Sequence, residues 1–248
     1  MNEVVVGLAC EDGGHFSTVT TLVDAALVST HGWLDGVIET CRSWRGVHPG
    51  EPWYKYDSAD AFDVRPIMID GQRIAPRGYI RGEPLKPEAS MWRKILLLFC
   101  HAQPRPEVVI LVRDLDGYAD RRAGLLQVRN RLPWPFKIVF AGAEPEVEAW
   151  LVSGFEPRDD NERARAAEAK RDLSFDPTTE SHRLTSHPNH ARTDAKRVLE
   201  QLCGSEPDRR VACLQDSRLI HSRGSTNGAR AFLDEIDLHI VPVFGRTR

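Results

Sequence analysis

Short apolar runs alternate with helical stripes through residues 1–155. Residues 3–9 (EVVVGLA) are a β-branched run that predicts a buried strand. Gly13 and Gly14 break that run. From Phe16, the spacing of Val19, Leu22, Val23, Ala26 and Leu27 predicts an amphipathic helix. Residues 87–101 (PEASMWRKILLLFCH) predict a second helix, with Pro at its first position and acids in its first turn. The clearest strand is 107–113 (EVVILVR), followed by Asp114-Leu115-Asp116-Gly117. A helix over 119–132 ends at Pro133 and Pro135, and 137–141 (KIVFA) is another strand. Residues 145–152 (PEVEAWLV) predict a helix that begins with acids.

Strand and helix in alternation predict an α/β fold, a mostly parallel sheet flanked by helices. We expect a core over residues 1–155, interrupted by an insertion after the first helix at about residues 32–87. Pro49, Pro52, Pro66, Pro76 and Pro84 punctuate that insertion, and Asp70-Gly71 between Ile-rich arms predicts a hairpin in it. Residues 156–248 predict a C-terminal, mostly helical extension packed on the core. Its helices are expected over 159–170, 193–202 and 225–236, the last opened by a Ser or Thr cap. Residues 176–189 read as loop.

Composition narrows the function classes. The five cysteines are scattered without a CxxC pair, which argues against a zinc ribbon or a disulfide framework and suggests reduced, cytoplasmic thiols. The opening MNEVVVGLACEDGG reaches acids after a very short apolar run and predicts no signal peptide. No apolar run approaches the roughly 20 residues of a membrane span. A net charge of −3 weighs against an obligate, tight nucleic-acid binder, but it does not exclude a metal nuclease. The sequence has no G-x-x-x-x-G-K-[ST] for a nucleotide phosphate and no G-x-S-x-G elbow.

Acids cluster where the strands end. Glu11 follows the first strand, Asp114 and Asp116 a later one, and Glu146 and Glu148 the next. In parallel sheets, ligands bind beyond these carboxyl ends. Carboxylates on neighbouring strand ends can converge on a hard cation such as Mg²⁺ or Mn²⁺. Each group alone has a plainer reading, as turn chemistry, a helix-dipole partner or a first-turn acid. Their shared edge is what favours a metal site. Arg192, Arg209, Arg210, Arg218 and Arg223, with His182, His187, His190 and Arg183, are either a solvated basic surface or contacts to nucleic-acid phosphates. Trp53, Tyr54 and Tyr56 read as base-stacking groups or as local packing.

These residues carry a family resemblance. The order strand–Glu11–Gly-rich turn–helix, then VVILVRDLDG, resembles the Toprim fold of topoisomerases, primases and OLD-family nucleases. AEPEVEAWLV resembles the E-x-E-x-W helix of Toprim-like families of bacterial defence islands, including RloB-like proteins. TDAKRVLEQL resembles their lysine-bearing helix. The resemblance covers the core and much of the tail but not the insertion. It implies catalytic roles for Glu11, Asp114, Asp116 and Lys196, and metal ligation by Glu11, Asp114, Asp116, Glu146 and Glu148. Asp12 stands where such families carry Gly, and His15 replaces a second Glu as a ligand suited to Mn²⁺. The implied function is a metal-dependent nuclease of DNA or RNA in an antiviral or mobile-element system, working beside a separate ATPase. Two rivals accompany it. One is a non-catalytic interaction subunit on the same scaffold. The other is a receiver-like phosphoacceptor, which lacks a lysine after a late strand because Lys137 begins its strand.

Overall fold

The computed structural model describes residues 3–57, 67–69, 72–74, 78–186 and 191–245. In chain order the strands are β1 (Val4–Cys10), β2 (Arg42–Arg45), β3 (Tyr54–Lys55), β4 (Ile67–Ile69), β5 (Gln72–Ile74), β6 (Tyr79–Ile80), β7 (Glu83–Pro84), β8 (Val108–Asp114) and β9 (Lys137–Ala143). The helices are α1 (Gly13–Thr30), α2 (Ile38–Cys41), α3 (Ala89–His101), α4 (Ala119–Arg131), α5 (Glu148–Ser153), α6 (Asp160–Leu173), α7 (Ala195–Cys203), α8 (Pro207–Ala212), α9 (Ser217–Arg223), α10 (Ala229–His239) and α11 (Val241–Gly245).

The central sheet runs β2-β1-β8-β9, with β3 also on β1, and every pairing in it is parallel. Val108 to Val112 are all buried, as a strand covered on both faces requires. Side-chain alternation separates two cores. Val6, Leu8, Val108, Ile110 and Val112 join α1, α5, α7 and α10, whereas Ala9, Val109 and Leu111 join α3 and α4. The chain leaves β1 for β2 and returns on the other side of β1 as β8. The strand order therefore reverses between β1 and β8, the crevice where open α/β sheets bind ligands.

Residues 32–87 are not merely inserted. They supply β2 and β3, which pair with β1 from Val4↔Arg42 to Cys10↔Lys55. The sequence RSWR lacks an apolar run because β2 is an edge strand, and it buries Arg45 by donating to the Gly46 and Pro104 carbonyls. The hairpin expected in this stretch is β4–β5, paired antiparallel with Ile69 opposite Gln72, and its Asp70-Gly71 turn lies outside the described residues. Tyr56 is buried edge-on to Trp92, and Trp53 stacks on Phe16 at 6.1 Å, so both rings are local packing.

Several helix starts differ from expectation, α5 among them, which begins at Glu148 and not at Pro145. α1 begins at Gly13, because Asp12 caps it by accepting the His15 N–H at 2.9 Å. α3 begins at Ala89, and Glu88 before it takes φ 60° and turns its carboxylate inward. α10 is opened by Gly228 rather than by Ser225 or Thr226, and Asn227 Oδ1 accepts the Ala229 N–H at 3.0 Å. Gly228 has φ 88°, and a Cβ there would meet the Gly142 carbonyl oxygen at 2.1 Å. That approach seats α10 on β9.

Residues 156–248 share the first core with the sheet. Trp150 of α5 stacks on Phe232 of α10 at 5.3 Å and donates to the Asn227 carbonyl at 2.8 Å. Asn227 is itself buried and donates to Ala149 O, Ser153 Oγ and Ser181 Oγ. α7 packs on α5, which sets Lys196 beside the ends of the strands. Among the described residues, no helix is long and apolar enough to cross a membrane.

Candidate functional site

The ends of β1, β8 and β9 gather the predicted acids, and side-chain alternation then divides them. Asp114 has the parity of Val112 and faces α1. Glu11 has the parity of Ala9 and faces α3 with Arg113.

On the α1 side, His15 joins two carboxylates. Its Nδ1 lies 2.9 Å from Asp12 Oδ1 and its Nε2 lies 3.0 Å from Asp114 Oδ2, the second contact an ion pair off the hydrogen-bond axis. His15 is only 4% exposed. Burial disfavours its charge, but the hydrogen bonds and charges of Asp114 and Asp12 prevail and push its pKa up to about 10. His15 in turn holds the Asp12 carboxyl well below the usual range. Both imidazole nitrogens are thus committed to carboxylates. His15 stands here as a buried counter-ion to both carboxylates.

Asp114 Oδ1 accepts the Val147 N–H at 3.0 Å, which ties the end of β8 to the start of α5. Glu148 opens α5, and Glu146 lies just before it. Lys196, on the first turn of α7, reaches both, with Nζ 3.0 Å from Glu146 Oε2 and 3.9 Å from Glu148 Oε1. Glu146 is 3% exposed, and its Oε1 has no hydrogen-bond partner. Burial raises the Glu146 pKa, with Lys196 opposing. Burial and the neighbouring Glu146 charge push Glu148 up to about 7.

On the α3 side, Arg113 is buried and grips Glu88 with two nitrogens, Nε at 3.2 Å from Oε2 and Nη2 on Oε1, while its Nη1 pairs with Glu11. Arg121 pairs with Asp116, donates to the Asp114 carbonyl at 2.8 Å and lies 3.5 Å from Glu88. Asp116 and Gly117 take φ 48° and 77°, a left-handed turn that Asp and Gly tolerate. Glu144 Oε1 accepts the Gly117 N–H at 2.9 Å, and burial raises its pKa.

The structure therefore brings Asp114, Glu146, Glu148, His15 and Lys196 together and sets Glu11 and Asp116 against arginines on the other side. Glu11 still reaches the rim of a cleft of about 430 Å³ that Asp12, Asp114, Glu148 and Lys196 also line. Among the described residues, no three metal-binding side chains surround a common ion position in this arrangement. Asp12, Glu88, Arg113, Arg121 and Glu144 complete the site and were not among its expected members. A charged residue at the end of the apolar run VVILVR was the available signal for Arg113.

The basic residues also separate. Arg209, expected on a phosphate-binding surface, is buried instead. It forks onto Glu162 at 2.7 and 2.9 Å and lies over the Phe155 ring. Arg210 lines the acidic cleft, and Arg192 is exposed just before α7. His187 and His190 lie outside the described residues. Comparison with protein-family models, curated proteins and solved structures finds no match for this chain.

Proposed function

We propose that this protein is a nuclease that hydrolyses phosphodiester bonds of DNA or RNA with Mg²⁺ or Mn²⁺. The observation that carries the reading is the placing of Asp114, Glu146 and Glu148 on neighbouring strand ends, Asp114 bonded to the Val147 N–H between the two glutamates, with a buried Glu146 oxygen that has no hydrogen-bond partner. An all-oxygen donor set suits these hard cations. A bound divalent ion would supply charge neutralisation and water activation there. Lys196 places a positive charge at the same position, where it offsets the charge of a phosphoryl group. The Val147 N–H and Arg121, through the Asp114 backbone, fix the carboxylate that faces the cleft. The Toprim resemblance extends the proposal to a cytoplasmic defence nuclease partnered by a separate ATPase.

A second reading has its own support. Arg113, Arg121, His15 and Lys196 give the acids counter-charges from within the protein, which suits a non-catalytic interaction subunit on the same scaffold. One paired experiment separates the two. Melting is followed with and without Mn²⁺, and linear, supercoiled and single-stranded substrates are incubated with wild type and Asp114→Asn. The nuclease reading expects Mn²⁺ to raise the melting temperature and wild type alone to cut. Wild type that gains nothing from Mn²⁺ and cuts no substrate leaves the interaction subunit.

A further inference from the structure

The acidic cleft has a second wall of different chemistry. Opposite the strand ends stand Leu199 of α7 and Pro207, Arg210 and Val211 of α8. Val211 is 38% exposed, although it is large and apolar. Arg210 Nε is a buried donor without a partner, as Glu146 Oε1 is a buried acceptor without one. The wall of the cleft thus leaves a cationic donor and an aliphatic surface unmatched. Orphaned buried polar groups carry a desolvation cost that a bound partner relieves. The cleft volume, about 430 Å³, falls in the range of roughly 300–1,000 Å³ that encloses one small ligand.

We propose that this cleft takes one unpaired nucleotide of a single strand, its phosphate on Arg210 and its base against Leu199, Pro207 and Val211. The inference rests on reading the acids as a cleavage site, and it names single-stranded nucleic acid as the substrate. An intact duplex offers phosphates and base edges but keeps its base faces stacked, so the aliphatic wall would meet nothing. A base reaches such a wall only outside the stack, where apolar side chains enclose it. The wall contains no aromatic ring and no amide side chain to read a base edge, so preference among bases is weak.

The test uses short fluorescein-labelled oligonucleotides, single-stranded and as blunt duplex, with Ca²⁺ replacing Mn²⁺ to keep them uncut, and free dAMP as competitor. Wild type is expected to bind the single strand at least about tenfold more tightly than duplex, the range that burying one base accounts for, and dAMP is expected to displace it. Val211→Glu, an exposed change that leaves melting unaltered, and Arg210→Ala are each expected to lose about tenfold in single-strand affinity. Both variants are expected to keep the wild-type rise in melting temperature with Mn²⁺. Equal affinity for duplex overturns the inference, as do failure of dAMP to displace the single strand and single-strand affinity within about twofold of wild type in both variants. Because the Mn²⁺ shift is measured without nucleic acid, its loss counts against the metal site and not against the nucleotide cleft.

Discussion

His15→Gln tests the electrostatics of the site most directly. His15 is buried between Asp12 and Asp114, and its pKa rises from 6.5 to about 10. The folded protein therefore holds this proton more tightly than the unfolded chain does. The resulting stability is fully present below pH 6.5 and disappears as pH climbs through about 10. A change of that size corresponds to roughly 5 kcal/mol as an upper figure. The Asp12 side chain is 62% exposed, so water screens its share, and about 3 kcal/mol is the working value. For a chain of this length that is about 6–12 °C in melting temperature. Gln keeps a donor for Asp114 but cannot carry the charge. Wild type should lose about that much between pH 6.5 and 10, and His15→Gln should start lower and show no such slope. Thermal unfolding by circular dichroism across this pH range measures both. Parallel melting profiles for the two proteins would refute a buried imidazolium.

Three further outcomes follow from the same geometry. Glu146→Gln removes a buried charge whose pKa is already raised by burial, so it should leave the melting temperature equal or higher, while abolishing the Mn²⁺ shift and lowering cleavage by at least about 100-fold. Glu148, pushed up to about 7, must lose its proton to bind a cation, so Mn²⁺ affinity measured by calorimetry should rise with pH up to about 7 and then level off, with proton release on binding. Asn227→Ala deletes donors to Ala149 O, Ser153 Oγ and Ser181 Oγ and the cap on Ala229, and should cost about 2–4 kcal/mol in urea unfolding.

Strands buried on both faces were legible because they are continuous apolar runs. EVVVGLA, EVVILVR and KIVFA lie in β1, β8 and β9 to within a few residues. β2 was not legible. Its RSWR has no apolar period, since it lies at an edge and its buried Arg45 is satisfied by backbone carbonyls more than 50 residues away as well as next door. α8 and α9 have 6 and 7 residues, too short for a helical stripe to stand out. The placement of acids at strand ends was legible from composition and order alone. For Glu11 and Asp114 the division follows the period of two carried past the strand, which puts Asp114 with Val112 and Glu11 with Ala9, whereas Asp116 leaves that period in the left-handed turn. Pairing partners such as Glu88 with Arg113 depend on tertiary approach, and no spacing in the sequence encodes that.

The charge count around the strand ends bears on both functional readings. Glu11, Asp12, Glu88, Asp114, Asp116, Glu144, Glu146 and Glu148 are eight carboxyl groups, and Arg113, Arg121, His15 and Lys196 are four cations, a surplus of four acids. Arginines take the α3 side, where the geometry is bidentate and buried and the charge is permanent. The surplus divides evenly between the two sides, and on the cleft side the counter-ions are a histidine and a lysine whose side chain is 63% exposed. A lysine with that much solvent access can swing away at little cost, whereas a buried arginine fork cannot. The side that faces the cleft thus holds a cation, Lys196, that can exchange. A purely structural network has no need of that asymmetry; it would place its firm pairs on both faces. An exchangeable cation and an open cleft beside carboxylates are what a divalent ion needs to enter, and that is why we rank the nuclease reading above the interaction subunit.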